Sequence, residues 1–180
     1  MKQMLLFGPP EKPESTSPVR TSTSDPNNGG DTWTLYVDGA ARNNPGPSAA
    51  GIYILKNGKV AEKKGFFLGL KTNNQAEYLA LLLGMLILQK QVKTNDSVSI
   101  ISDSELLVKQ LKGEYKVRML SLKPLFALAH AMLFMLKGTV KHVLRHHNKE
   151  ADKMANYGLD NKVPVPPEFI EALRKHEILL

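Results

Sequence analysis

The sequence predicts a mixed α/β sheet within a single domain, on three observations. Three strand-like runs follow one another as a meander between residues 33 and 68. Strand and helix patterns then alternate, which marks a mixed sheet rather than a barrel or a helical bundle. With 42% hydrophobic residues in 180, the chain can bury a sizeable core without a disulfide or structural metal.

The elements follow in order. Residues 1–8 hold a short apolar run, Met4-Leu5-Leu6-Phe7, which Pro9 and Pro10 end well before the length of a signal-peptide core. Residues 9–31 carry Pro9, Pro10, Pro13, Pro18 and Pro26, with Val19 as the only aliphatic side chain. Such a segment buries too little apolar surface to offset its ordering entropy, and reads as a disordered linker spanning roughly 25–30 Å. Folded structure begins near Trp33. Residues 33–38 form a strand and residues 39–48 a turn-rich loop. Residues 50–56 and 60–68 are strands around Asn57-Gly58, the strongest short hairpin signal in the chain. Residues 73–91 are a long helix with Asn73 as N-cap, and residues 98–102 a strand. A short helix over 104–111 stops near Gly113, and another over 122–137 stops at Gly138. Residues 139–144 are a fifth strand, and 148–158 a helix with Asn148 as N-cap. The tail, residues 163–180, holds one more helix beyond Pro167. No internal repeat is visible.

Composition narrows the chemistry. There is no cysteine, which excludes a disulfide framework, a thiolate zinc site and cysteine nucleophiles. The net charge of +7, from 24 basic and 17 acidic residues, favours a polyanionic partner such as nucleic acid. The longest apolar run, residues 79–88, falls well short of the ~18 residues of a membrane span. The chain therefore reads as a soluble, cytoplasmic protein with no membrane partner.

Four acids stand out. Asp38 and Asp103 each end a predicted strand, the edge where ligand chemistry gathers in open α/β sheets. Glu77 and Asp152 each fall four residues after a proposed Asn cap, near the positive end of a helix dipole that favours their ionised form. Taken singly, each is also an ordinary turn or first-turn residue, and spacing alone does not bring them together. If they converge, their repulsion calls for a hard divalent cation such as Mg²⁺, which takes oxygen ligands and bridges to phosphate. An acidic pocket in a basic protein that binds a polyanion points to metal catalysis.

The motifs around these acids carry a family resemblance. Tyr36-Val-Asp-Gly-Ala-Ala-Arg-Asn-Asn-Pro-Gly-Pro47 resembles the first-strand signature of ribonuclease H type 1 enzymes. Thr72-Asn-Asn-Gln-Ala-Glu-Tyr78 resembles their first-helix motif, Ser102-Asp-Ser104 their third acidic site and Asn148-Lys-Glu-Ala-Asp152 their fourth. All four occur in the family's order, and the ordered set is specific. The resemblance implies a ribonuclease H-like fold over residues 32–162, a five-stranded mixed sheet with strands 1–3 antiparallel and helices on both faces. It implies an endonuclease that hydrolyses the RNA strand of RNA–DNA hybrids, leaving 5′-phosphate and 3′-hydroxyl ends. Asp38, Glu77, Asp103 and Asp152 would be its catalytic residues and would hold two Mg²⁺ ions, with Mn²⁺ able to substitute.

By position, Asn44, Asn73 and Asn74 match the family's minor-groove contacts, where the 2′-hydroxyl separates RNA from DNA. Backbone amides at Gly39 and Ala40 match the path of the RNA strand, and Thr72 with Lys71 matches part of a DNA-phosphate pocket. The chain departs from the pattern in three places. Ala40 stands where serine is commoner, and residues 112–121 are too short for a basic handle, shifting affinity to residues such as Lys112, Lys116 and Arg118. The loop before Asn148 is abbreviated, leaving His146, then His147, to match a histidine that assists proton transfer or product release.

Two features lie beyond that core. Gln3-Met-Leu-Leu-Phe7 resembles the short peptide by which bacterial replication proteins dock on the sliding clamp, with Gln3, Leu6 and Phe7 as its anchors. The helix over 122–137 is apolar nearly all round, so either the tail or a second copy of the chain, as a homodimer, should cover its outer side. Two other functions share these features: a nuclease of the same fold acting on duplex RNA or DNA, and a catalytically silent nucleic-acid-binding module. The Asn-rich set argues against the first, and retention of all four acids against the second.

Overall fold

The computed structural model describes residues 29–180, so the Gln3, Leu6 and Phe7 peptide and nearly all of the 9–31 linker lie outside the described residues. Within them, β1 (Thr32–Ala41), β2 (Gly46–Lys56) and β3 (Lys59–Lys71) form the antiparallel meander. Next come α1 (Asn73–Gln89), β4 (Ser97–Ser102), α2 (Glu105–Leu111), α3 (Lys123–Met135), β5 (Thr139–His142), α4 (Lys149–Asn161) and α5 (Pro167–Arg174). The sheet order is β3-β2-β1-β4-β5, with β4 parallel to both β1 and β5.

Period-two patterning builds the strands. Trp33, Leu35 and Val37 are buried on one face of β1, while Thr34 and Tyr36 between them are half-exposed. Asn57 and Gly58 both adopt positive φ, the backbone that a tight hairpin turn needs and that these two residues tolerate. The 39–48 segment expected as a loop is mostly strand. Ala40 pairs with Ala49 and Ala41 with Ser48, leaving residues 42–45 to turn the chain. Small residues there look like turn formers in sequence, yet they pair freely when a partner strand is alongside. One consequence is that Asp38 sits inside β1, opposite Gly51, rather than at its end. Likewise β3 runs on to Lys71 through a bulge where Gly69 takes positive φ, and β5 stops at His142 rather than Leu144.

The two faces of the sheet are covered differently. On one face, Leu35, Val37, Ile52 and Ile54 pack with Leu79, Leu83, Met85 and Leu88 of α1, and with residues of α2 and α3, in the hydrophobic core. On the other, α4 lies against β2 and β3 through small residues. A Cβ on Gly51 would fall 1.9 Å from the Ala151 carbonyl oxygen, and one on Gly65 would fall 1.9 Å from that of Met154. These glycines let the helix backbone approach the sheet more closely than any side chain would permit.

The tail belongs to the same body. Phe169 and Leu173 of α5, with Ile178 beyond it, join the core beside α1 and α3. An apolar cavity of about 240 Å³ remains where α5 meets them, lined by residues including Leu82, Leu86, Leu128 and Met132. Only Leu125 and Ala129 of α3 are fully buried, so this helix is less enclosed than its composition suggests. Phe134 and Met135 near its C-terminus are 81% and 74% exposed. No helix among the described residues is long and apolar enough to cross a membrane.

Candidate active site

Each expected acid is delivered by a different element. Asp38 comes from β1, Glu77 from α1, Asp103 from the turn after β4, and Asp152 from the first turn of α4. All four line one cleft of about 490 Å³, together with Gly39, Ala40, Asn73, Arg145 and Asn156. Close approach of α1 to β1 is possible because residue 39 is glycine, since a Cβ there would stand 2.2 Å from the Glu77 nitrogen. The Gly39 N–H donates to Glu77 Oε2 at 3.2 Å.

Protein donors hold three of the carboxylates. Asn148 Nδ2 donates to Asp103 Oδ1 at 2.7 Å, and Arg145 donates to Asp152 Oδ1 at 2.8 Å. Asn156 adds a 3.3 Å bond to Asp152 Oδ2. Among the described residues no three acidic or histidine side chains converge on a point as metal ligands do. The four acids share a cleft, and their negative charges act on one another within it. Burial, then Asp103 and Asp152, push the Asp38 carboxyl up to about 7. Burial, then Asp38 and Asp103, raise Glu77 well above the usual carboxylate range. Helix-dipole stabilisation does not prevail at Glu77. It lies beyond the first turn of α1, where dipole effects have faded and burial dominates.

Several expectations are corrected here. Thr72, not Asn73, caps α1, since its Oγ1 accepts from Gln75 N while Gln75 Oε1 accepts from Thr72 N in a capping box. Asn73 is thereby free to line the cleft, and its own N–H donates to Asn44 Oδ1 at 3.0 Å. Asn44 is thus tied to the start of α1 across the 42–45 turn. Asn74 lies in the first turn of α1, and Lys71 is partly buried, which lowers its ammonium pKa. Asn44, Lys71, Thr72 and Asn74 flank the cleft rather than line it. Asn148 occupies the cap position of α4 but makes no side-chain cap bond.

His146 is exposed, with its ring 4.0 Å from that of His147, and it does not line the cleft. The cleft residue from that short helical turn is Arg145, which the sequence reading passed over. Its one available signal was a basic residue seven positions before Asp152. His142, at the end of β5, brings Nε2 within 3.3 Å of the Asp103 carbonyl oxygen.

Known proteins resemble this chain in sequence and fold. A family model described as reverse transcriptase-like matches residues 36–158. Ribonuclease HI of Halobacterium salinarum is 34% identical over 144 residues, covering 78% of this chain and 70% of that one. The crystal structure of ribonuclease H1 from that archaeon matches with a TM-score of 0.68 at 33% identity, over 72% of this chain and 98% of the other. LC11 ribonuclease H1, solved in complex with an RNA/DNA hybrid, matches with a TM-score of 0.67 at 34% identity, over 72% and 97% of the two chains. A bifunctional protein of Mycobacterium tuberculosis is 32% identical over 130 residues, which cover 70% of this chain and 35% of that protein. Fold, strand order and sequence agree: the chain belongs to the ribonuclease H family, as a type 1 member, and is a ribonuclease H enzyme.

Proposed function

We propose that the chain is an endonuclease that cuts the RNA strand of RNA–DNA hybrids at this cleft, with Asp38, Glu77, Asp103 and Asp152 holding two Mg²⁺ ions. The observation that carries the reading is that four acids from four separate elements line one cleft, with Arg145 as their cationic neighbour. The donors fit divalent cations of this type, being carboxylate oxygens gathered in one cleft, where burial and then the neighbouring acids raise Asp38 and Glu77. The chemistry supplied with bound cations is activation of the attacking water and stabilisation of the leaving 3′ oxygen, giving 5′-phosphate and 3′-hydroxyl ends. Mn²⁺ substitutes for Mg²⁺ in this reading.

The chain's own groups do the rest. Gly39 and Ala40 present backbone to the RNA strand, and Asn73, braced by Asn44, offers an amide to a 2′-hydroxyl or base edge. Asn74 extends this amide set along the first turn of α1. Lys71 and Thr72 flank the same end and suit a DNA phosphate. Arg145 holds Asp152 and supplies positive charge beside the scissile phosphate. The complex of the LC11 relative with a hybrid supports the choice of substrate.

The test is cleavage of labelled hybrid, duplex RNA and duplex DNA, each with Mg²⁺ and with chelator. Chelator-sensitive cutting confined to the hybrid, and lost in Asp103→Asn, is the expected result. Equal cutting of either duplex would remove the hybrid assignment. Binding of hybrid without cleavage would favour the silent module.

Two partner surfaces complete the proposal. Residues 1–8, through Gln3, Leu6 and Phe7, dock on a sliding clamp, and deleting them abolishes clamp pull-down while sparing cleavage. The exposed Phe134 and Met135 suit contact with a second copy, which sedimentation at rising concentration tests.

A further inference from the structure

We propose that Asn148 is a positioning residue, whose side-chain amide fixes the Asp103 carboxylate for cation binding and locks the start of α4 to β1. This rests on the metal-holding role proposed for the four acids.

Asn148 is 1% exposed, and its position one residue before α4 would suit an N-cap, yet its side chain makes no cap bond. Instead Nδ2 donates twice, to the Val37 carbonyl at 2.9 Å and to Asp103 Oδ1 at 2.7 Å. Its own Oδ1 is buried without a partner among the described residues. Leaving a buried amide oxygen unpaired is costly, so the two donated bonds must matter more to the fold or the site than a cap would. The orientation is fixed by its neighbours, because turning the amide over would set its oxygen against two acceptors.

The connections reach three of the four acids. Val37 immediately precedes Asp38, Asp103 receives the amide directly, and the Asp152 N–H donates to the Asn148 carbonyl at 3.1 Å. One residue therefore ties β1, the end of β4 and the start of α4 together beneath the cleft. The chemistry of the donor also counts. A neutral amide orients a carboxylate while leaving its charge available to a cation, whereas a guanidinium such as Arg145 competes with that cation.

The test compares Asn148→Ala and Asn148→Ser with the parent full-length chain, and with Trp33→Phe as a stability control. Trp33→Phe removes the indole bond to Asp96 on a different part of the sheet. The readouts are Mg²⁺ affinity by calorimetry on chelator-treated protein, the Mg²⁺-induced rise in unfolding temperature, and hybrid affinity without metal. Asn148→Ala is expected to weaken Mg²⁺ binding by about tenfold to a hundredfold while leaving metal-free hybrid binding intact. Asn148→Ser, which keeps a small donor, recovers part of the loss and decides the matter should the alanine variant fail to fold. Unchanged Mg²⁺ affinity in either folded variant overturns the proposal, and so does an equal loss in Trp33→Phe. A parent that binds Mg²⁺ but leaves hybrid intact would count against the nuclease function and not against this role.

Discussion

The two faces of the sheet solve the packing problem in opposite ways. Toward α1, long aliphatic side chains interdigitate, and the atoms nearest to a Cβ on the helix glycine Gly84 would be side-chain methyls of Leu35 and Val37. Toward α4, backbone meets backbone at the closest approaches, where Gly51, Gly65 and Gly158 carry no Cβ. Side-chain packing yields stability and tolerates small adjustments, because methyl groups can shift by tenths of an ångström. Backbone contact yields little apolar burial but sets the height of α4 rigidly, and Asp152 rides on its first turn. The first face holds most of the core and, at Gly39 alone, brings α1 close enough to deliver Glu77, while the second sets the height of Asp152.

Substitutions on each face should separate these roles. Leu83→Ala, at a fully buried position on α1, should cost about 2–5 kcal/mol in urea unfolding yet leave cleavage per folded molecule unchanged. Gly51→Ala should cost less, about 1–3 kcal/mol, and yet reduce cleavage per folded molecule, because the new methyl can be accommodated only by lifting α4. Full activity in folded Gly51→Ala would erase the contrast.

A third experiment asks what the cleft costs the fold. Because the folded Asp38 carboxyl titrates at about 7, well above its ordinary range, its contribution in metal-free protein is fully present below about pH 4 and lost as pH rises to 7. Asp38→Asn should therefore be more stable than the parent at pH 8 in chelator, by on the order of 2 kcal/mol, with the advantage vanishing at acid pH. Unfolding curves at both pH values check it, and a parent equally stable to the variant at pH 8 would contradict it. The smallest effect belongs to neither face. Phe134→Ser should change monomer stability by no more than about 0.5 kcal/mol, since the ring stands in solvent.

Much of this was legible in the sequence, and the exceptions share a cause. The Asn57-Gly58 hairpin, the strand leading to Asp103 and the long helix bearing Glu77 all follow local rules of periodicity and turn chemistry. The four acids were found through ordered motifs, and the structure brings them to one cleft. What escaped was set by tertiary contact. Ala40 and Ala41 extend a strand only because β2 lies beside them. Thr72 outcompetes Asn73 as a cap because Gln75 is placed to reciprocate. Asn148 looks like a cap in sequence and is claimed instead by Val37 and Asp103, which no spacing rule reveals. Arg145, rather than the neighbouring histidines, faces the acids for the same reason.

The parallel pairing of β1 with β4 sets Thr32 beside Ser97 and Tyr36 beside Ile101, partners far apart along the chain. Such long-range closure costs more chain entropy than a hairpin or a helix does. Until it happens, Asp38 and Asp103 have no common address, so a misassembled chain carries all the acids yet has no complete cleft. Catalysis is thereby an assay of completed topology, and regained activity on refolding should track the docking of these two strands rather than the recovery of helix.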